Sequence, residues 1–189
     1  MRELSLHILD VIQNAIEAKA SRVKVRLEED LERDWMIIEV VDNGRGMSEE
    51  WVEKALNPFT TTRKTRHVGL GLPLFAEAAR RCGGDLSIQS KPGKGTRIRA
   101  TFRHSHIDRA PLGNVPAALL AVLLSESPVD LDYLHKIGTH EFRFSSLEIR
   151  KELDNIPLTH PKVRDWLSQT LCEGEASLPS GRQTRSLTL

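Results

Sequence analysis

The sequence predicts an α+β fold, and three features carry that reading. Residues 3–18 form a helix that is apolar on almost every side. Strand patterns come as adjacent pairs joined by turns, as in an antiparallel sheet, rather than each being followed by a helix. A linker over residues 104–110 separates this set from a second, smaller group of helices and strands.

In the first helix Leu4, Ile8, Val11, Ile12 and Ala15 recur at helical spacing, and Leu6, Leu9 and Ile16 widen the stripe. Glu3, His7, Asp10, Asn14 and Glu17 share the remaining side. That polar side faces water, a partner or a ligand. Val23 to Leu27 alternates as a half-exposed strand, and Met36 to Val41 returns as a mostly buried one. Ser48, Glu49 and Glu50 open a short helix that ends near Leu56. Residues 57–67 lack periodicity and read as a basic loop. A helix follows to about Cys82 and stops at Gly83-Gly84. Asp85 to Ser90 and Thr96 to Phe102 form a hairpin, with Leu86, Ile88, Ile98, Ala100 and Phe102 facing inward.

Composition narrows the function classes. The chain is 39% hydrophobic with a net charge of +1, which gives no global field for nucleic acid or an anionic membrane. No apolar run approaches the ~20 residues that span a bilayer, and Cys82 and Cys172 make no metal or disulfide pattern. A cytoplasmic, reducing setting is expected. Cys82 reads as a small core residue.

Chemistry concentrates at Asp42-Asn43-Gly44-Arg45-Gly46-Met47, where a buried strand ends in an acid and two alternating glycines. Such a turn lets the backbone approach a flat ligand while the carboxylate accepts from an exocyclic amine. It is equally good chemistry for a plain turn. Asn14 offers a neutral oxygen suited to Mg²⁺, and Asp10, one turn earlier, offers a base. Thr60, Thr61, Thr62, Arg63 and Lys64 supply hydroxyls and cations for a polyphosphate. Gly69-Leu70-Gly71-Leu72 opens a helix whose free N–H groups suit an anion.

These pieces, with Gly93-Lys94-Gly95-Thr96 after them, stand in an order that resembles the GHKL superfamily of gyrase, the large heat-shock chaperone, histidine kinases and MutL. The resemblance covers residues 3–103. It implies a Bergerat-type α/β sandwich, a mixed and mostly antiparallel sheet with helices on one face, binding ATP with Mg²⁺. By match, Asn14 holds the metal and Asp42 takes the adenine amine, with Gly44, Gly46 and Met47 around the base. Thr60–Lys64 and Gly69, Leu70, Gly71 and Leu72 form the lid and phosphate contacts, and Thr96 sits near adenine through a water. The short lid resembles histidine kinases. The first helix, with Asp10 four residues before Asn14, resembles gyrase and MutL, where the acid is the longer Glu.

The resemblance makes residues 1–104 an ATP-binding domain; pattern and composition of the rest suggest a small α+β module over 105–172 and a disordered tail over 173–189. In the module Asn114 to Leu124 is an apolar helix, usable as a core element or a dimer seam. Val129 to Lys136 and Glu141 to Phe144 form a hairpin, followed by helices at 147–153 and 161–171. His135, His140 and His160 read as structural, and His7 as a surface or pocket-rim histidine. The expected activity is an ATP-dependent protein kinase acting in trans on a separate acceptor protein, with Asp10 catalytic. The alternatives are a slow ATPase serving as a conformational switch, or a regulator that only binds ATP.

Overall fold

The computed structural model describes residues 3–56, 71–125, 129–154 and 156–179. The first part runs α1 (Leu4–Glu17), β1 (Arg22–Asp30), β2 (Trp35–Asp42), α2 (Glu49–Ala55), α3 (Gly71–Arg81), β3 (Leu86–Lys91) and β4 (Gly95–Arg103). The second adds α4 (Val115–Leu123), β5 (Asp130–Ile137), β6 (His140–Ser145), α5 (Ser146–Leu153) and α6 (Pro161–Ala176).

All six strands form one sheet in the order β3-β4-β2-β1-β5-β6. Neighbours are antiparallel except β1 and β5, which run parallel. Period-2 alternation assigns each face. Phe144, Tyr133, Val25, Val40, Ile98 and Ile88 form one row across all six strands and pack into the core. One residue along, the row Arg143, Leu134, Arg26, Glu39, Arg99 and Ser87 lies on the opposite face. The core also takes Ile8 and Ile12 of α1, Phe75 of α3, Leu119 of α4 and Leu167 of α6, so the helices cover one face of the sheet. This is the Bergerat-type arrangement.

The second group of elements does not stand apart from this core. β5 extends the same sheet from the edge of β1, with Val23 opposite Leu131 and Val25 opposite Tyr133. A lone hairpin cannot hide one apolar face, whereas pairing with β1 buries that face and occupies the open backbone edge of β1. The linker also caps the first helix: Leu4 N–H donates to Pro111 O at 3.0 Å and Ser5 N–H to Leu112 O at 2.8 Å.

Two expectations change. α6 continues through Ala176, past residue 173 where the sequence suggests a disordered tail. Leu171 and Leu178 are buried, and Gly174 lies where an added Cβ would meet the Phe142 ring at 2.1 Å, so this stretch is packed onto β6. In α1, His7 is buried, whereas Leu6 is exposed, so the outer side of the helix is not the polar stripe of the sequence reading.

Candidate nucleotide site

The site is assembled where the C-terminal end of α1, the turn after β2 and the β3–β4 hairpin meet. Asp42 closes β2, opposite Val23 of β1 and Thr96 of β4. Its Oδ1 accepts the Gly44 N–H at 2.7 Å, which bends the chain as an Asx turn. Burial pushes the Asp42 carboxyl above its ordinary range, while bonds from the Gly44 and Thr96 backbone oppose that rise.

Both glycines of the turn are needed by protein contacts. A Cβ on Gly44 would lie 2.8 Å from the Ala18 carbonyl oxygen. Gly46 has φ +66°, and a Cβ there would come within 2.0 Å of Lys91 O. Arg45 N–H donates to Ala18 O at 2.9 Å, and Gly93 N–H to Arg45 O at 2.7 Å. The Met47 N–H donates to Ser90 Oγ at 2.8 Å. Ser90 Oγ also lies 2.9 Å from Thr96 Oγ1 and bonds Gly95 O at 3.0 Å. Thr96 is thereby fixed beside Asp42 and almost fully buried.

Asn43 and Ser90 are positioning residues that the sequence reading did not single out. Asn43 Oδ1 accepts from the backbone of Ser21 at 2.9 Å and Arg22 at 2.8 Å, and its Nδ2 donates to Ser21 Oγ. An Asn after the strand-ending acid is a local signal for such a turn; Ser90 meets Gly95 and Thr96 within its own hairpin, but its bond from Met47, 43 residues earlier, leaves no local signal.

Beside Asp42 opens a cleft of about 680 Å³ whose described lining comes from β2, α2 and the β3–β4 hairpin, among them Val52, Ile88, Ser90, Lys94 and Thr96, and not from α1 or α3. That volume falls in the range of small-molecule sites. From the Asp42 turn, α1 leads to the other half of the site. Ala18, which touches Gly44, is eight residues from Asp10, about 12 Å along the helix axis. Asn14 lies between them, its carbonyl accepting from Ala18 N–H at 2.9 Å. Asp10 meets the first residue of α3, so closely that a Cβ on Gly71 would lie 1.6 Å from Asp10 Oδ2. Leu72 instead packs, partly buried, against the core. Thr60, Thr61, Thr62, Arg63, Lys64, Gly69 and Leu70 lie outside the described residues.

His7 is neither a surface nor a rim residue. It is 3% exposed, stacks on Phe75 with ring centroids 4.8 Å apart, and its buried Nδ1 has no hydrogen-bond partner among the described residues. Burial, aided by the charge of the amino terminus, lowers its pKa to about 4, so the ring is neutral at pH 7. It is tucked between α1 and α3.

The family model described as histidine kinase-, DNA gyrase B-, and HSP90-like ATPase matches residues 2–106. The chain belongs to this family. Among similar proteins are sporulation kinase D of Bacillus subtilis, 33% identical over 95 residues, and the nitrogen regulation protein NtrY of Azorhizobium caulinodans, 27% identical over 110 residues. These matches cover 50% and 54% of this chain but 19% and 14% of those proteins. The chain therefore matches a minor part of each relative. A crystal structure of the N-terminal domain of a DNA repair protein aligns with TM-score 0.55 at 14% identity, covering 77% of this chain and 53% of that one. That likeness speaks for the fold. As a member of this ATPase family the chain carries an ATP-binding domain.

Among the described residues no group of three His, Cys, Asp or Glu is arranged to hold a metal, and no helix is long and apolar enough to cross a membrane. The Asn14 side-chain oxygen is of the type that could hold Mg²⁺, which keeps several waters of its own.

Proposed function

We propose that this chain binds Mg-ATP and transfers its γ-phosphoryl group to an acceptor on another protein. The observation that carries the reading is the path of α1. It touches the Asp42 turn at Ala18 and reaches the start of α3 at Asp10, with Asn14 between. A nucleoside triphosphate fits that line with its base beside Asp42 and Thr96 and its phosphates toward α3.

Each residue then has a separate task. The Asp42 carboxylate accepts from the exocyclic amine of adenine, and Ile88 and Val52 flank the base. Asn14 would be the protein donor to Mg²⁺, which would supply neutralisation of the phosphate charge. The backbone N–H groups of Gly71 and Leu72, at the start of α3, would face phosphate oxygens. Asp10 takes the proton of an attacking hydroxyl as the new P–O bond forms and the bond to the β-phosphate oxygen breaks, releasing ADP. A histidine acceptor attacks through a ring nitrogen and needs no such base.

The kinases among the relatives support transfer to protein over simple hydrolysis. Within the chain, His7 stands nearest to Asp10 in sequence, yet its ring is enclosed against Phe75. This favours an acceptor supplied from elsewhere. The roles are tested by Asp10→Asn. Mg-ATP affinity should stay near that of the wild type while transfer to a hydroxyl acceptor, or to water, falls by about 10²-fold or more. Full rates in both assays would remove Asp10 as the base.

A further inference from the structure

We propose that Gly71 is a positioning residue for Asp10: the side chain that Gly71 lacks is the space that holds the Asp10 carboxylate. The inference rests on the reading of Asp10 as the catalytic base.

Two observations separate this role from the usual uses of glycine. First, the backbone does not demand it. Gly71 is the first residue of the α-helix α3, a conformation that an L-residue adopts. Second, the space is already filled. An added Cβ would stand 1.6 Å from Asp10 Oδ2, 2.6 Å from Cγ and 3.2 Å from Oδ1, and these are its three nearest neighbours. The group that would clash is therefore the reacting carboxylate itself, not backbone. The other site glycines differ: Cβ atoms at Gly46 and Gly95 would run into the carbonyl oxygens of Lys91 and Asp42.

The identity of the clashing atoms sets the phenotype. A side-chain end can rotate away about χ1 and χ2, so a methyl group at position 71 displaces Asp10 without dismantling the helix. Folding is spared and alignment is lost. A displacement of about 1 Å at a reacting group costs on the order of 10²-fold in rate.

The experiment is a double-mutant cycle on the full chain: wild type, Gly71→Ala, Asp10→Ala and the double variant. Each is measured for thermal melting, Mg-ATP affinity by calorimetry, and steady-state ATP turnover. Gly71→Ala should melt no lower than wild type and keep its Mg-ATP dissociation constant within about threefold, while kcat falls by about tenfold to 10²-fold. In the Asp10→Ala background the same substitution should change kcat less than about twofold, because nothing remains to displace. Weaker Mg-ATP binding with unchanged kcat would overturn the proposal, since the space would then serve the nucleotide. So would an equal loss of kcat in both backgrounds. Asp10→Ala at full turnover would instead overturn the base reading and the positioning role with it, and this outcome is distinct because the single Asp10 variant alone reports it. If Gly71→Ala fails to fold, recovery of folding in the double variant still supports the contact, and failure of both overturns it.

Discussion

Substituting His135 by Gln should remove a pH-dependent part of the stability. His135 lies on β5, and its side chain is 3% exposed. Its Nε2 is 3.2 Å from Glu29 Oε1, and its Nδ1 is 3.0 Å from Glu175 Oε2. The other Glu29 oxygen meets His104 Nε2 at 2.5 Å, and Tyr133 donates to Glu175 Oε1 at 2.7 Å. Burial alone would lower the pKa of His135, but hydrogen bonds to Glu175 and Glu29 and their charges raise it from 6.5 to about 9. The imidazolium is thus the favoured form in the folded chain. A folded pKa above the unfolded one stabilises fully below pH 6.5, and that contribution disappears as pH rises through 9. The difference of about 2.5 units corresponds to about 3 kcal/mol. Glu29 sets the acid limit. Burial raises its pKa, yet the two histidines hold it below its ordinary value, so its contribution is lost as pH falls below about 4.5. Urea unfolding of wild type and His135→Gln at pH 6, 7.5 and 9.5 reads the effect directly. The variant should be less stable by about 3 kcal/mol at pH 6, and the difference should shrink toward zero by pH 9.5. A difference that is the same at all three values would refute the reasoning.

Asp42→Asn should raise the ATP dissociation constant by about 10- to 100-fold, the scale of losing a hydrogen bond to a charged acceptor; unchanged affinity in calorimetry would mean that Asp42 does not read the base. Gly46→Ala should lower stability by at least about 2 kcal/mol, because it combines a φ of +66° with a Cβ 2.0 Å from a backbone oxygen. A melting temperature equal to that of the wild type would show that the turn can relax around a side chain.

The elements of the site were legible because their signals are local. The run Met36–Val41 ending in Asp42, and the apolar periodicity of residues 3–18, each lie within a few turns or strand repeats. The four ordered motifs then pointed to the family. What stayed hidden depends on partners far apart in sequence. Nothing near Val129–Lys136 says that the strand pairs in parallel with β1, over a hundred residues earlier. His135 reads as an isolated histidine until Glu29 and Glu175 are brought to its two nitrogens. Periodicity also misjudged His7, because one α-helical side can face a neighbouring helix instead of water; α3 supplies Phe75 at that position. The end of α6 was missed because residues 173–189 are polar and carry Gly, Ser and Pro, whereas the missing side chain of Gly174 admits Phe142.

Phosphoryl transfer is tested most directly by incubating the full chain with γ-labelled Mg-ATP and a lysate of its source cells, and counting label on protein against label released as inorganic phosphate. The account predicts label on a second polypeptide, dependent on the chain and reduced by Asp42→Asn. Label released as phosphate at the same rate with or without lysate, and none on protein beyond a control lacking the chain, would contradict it.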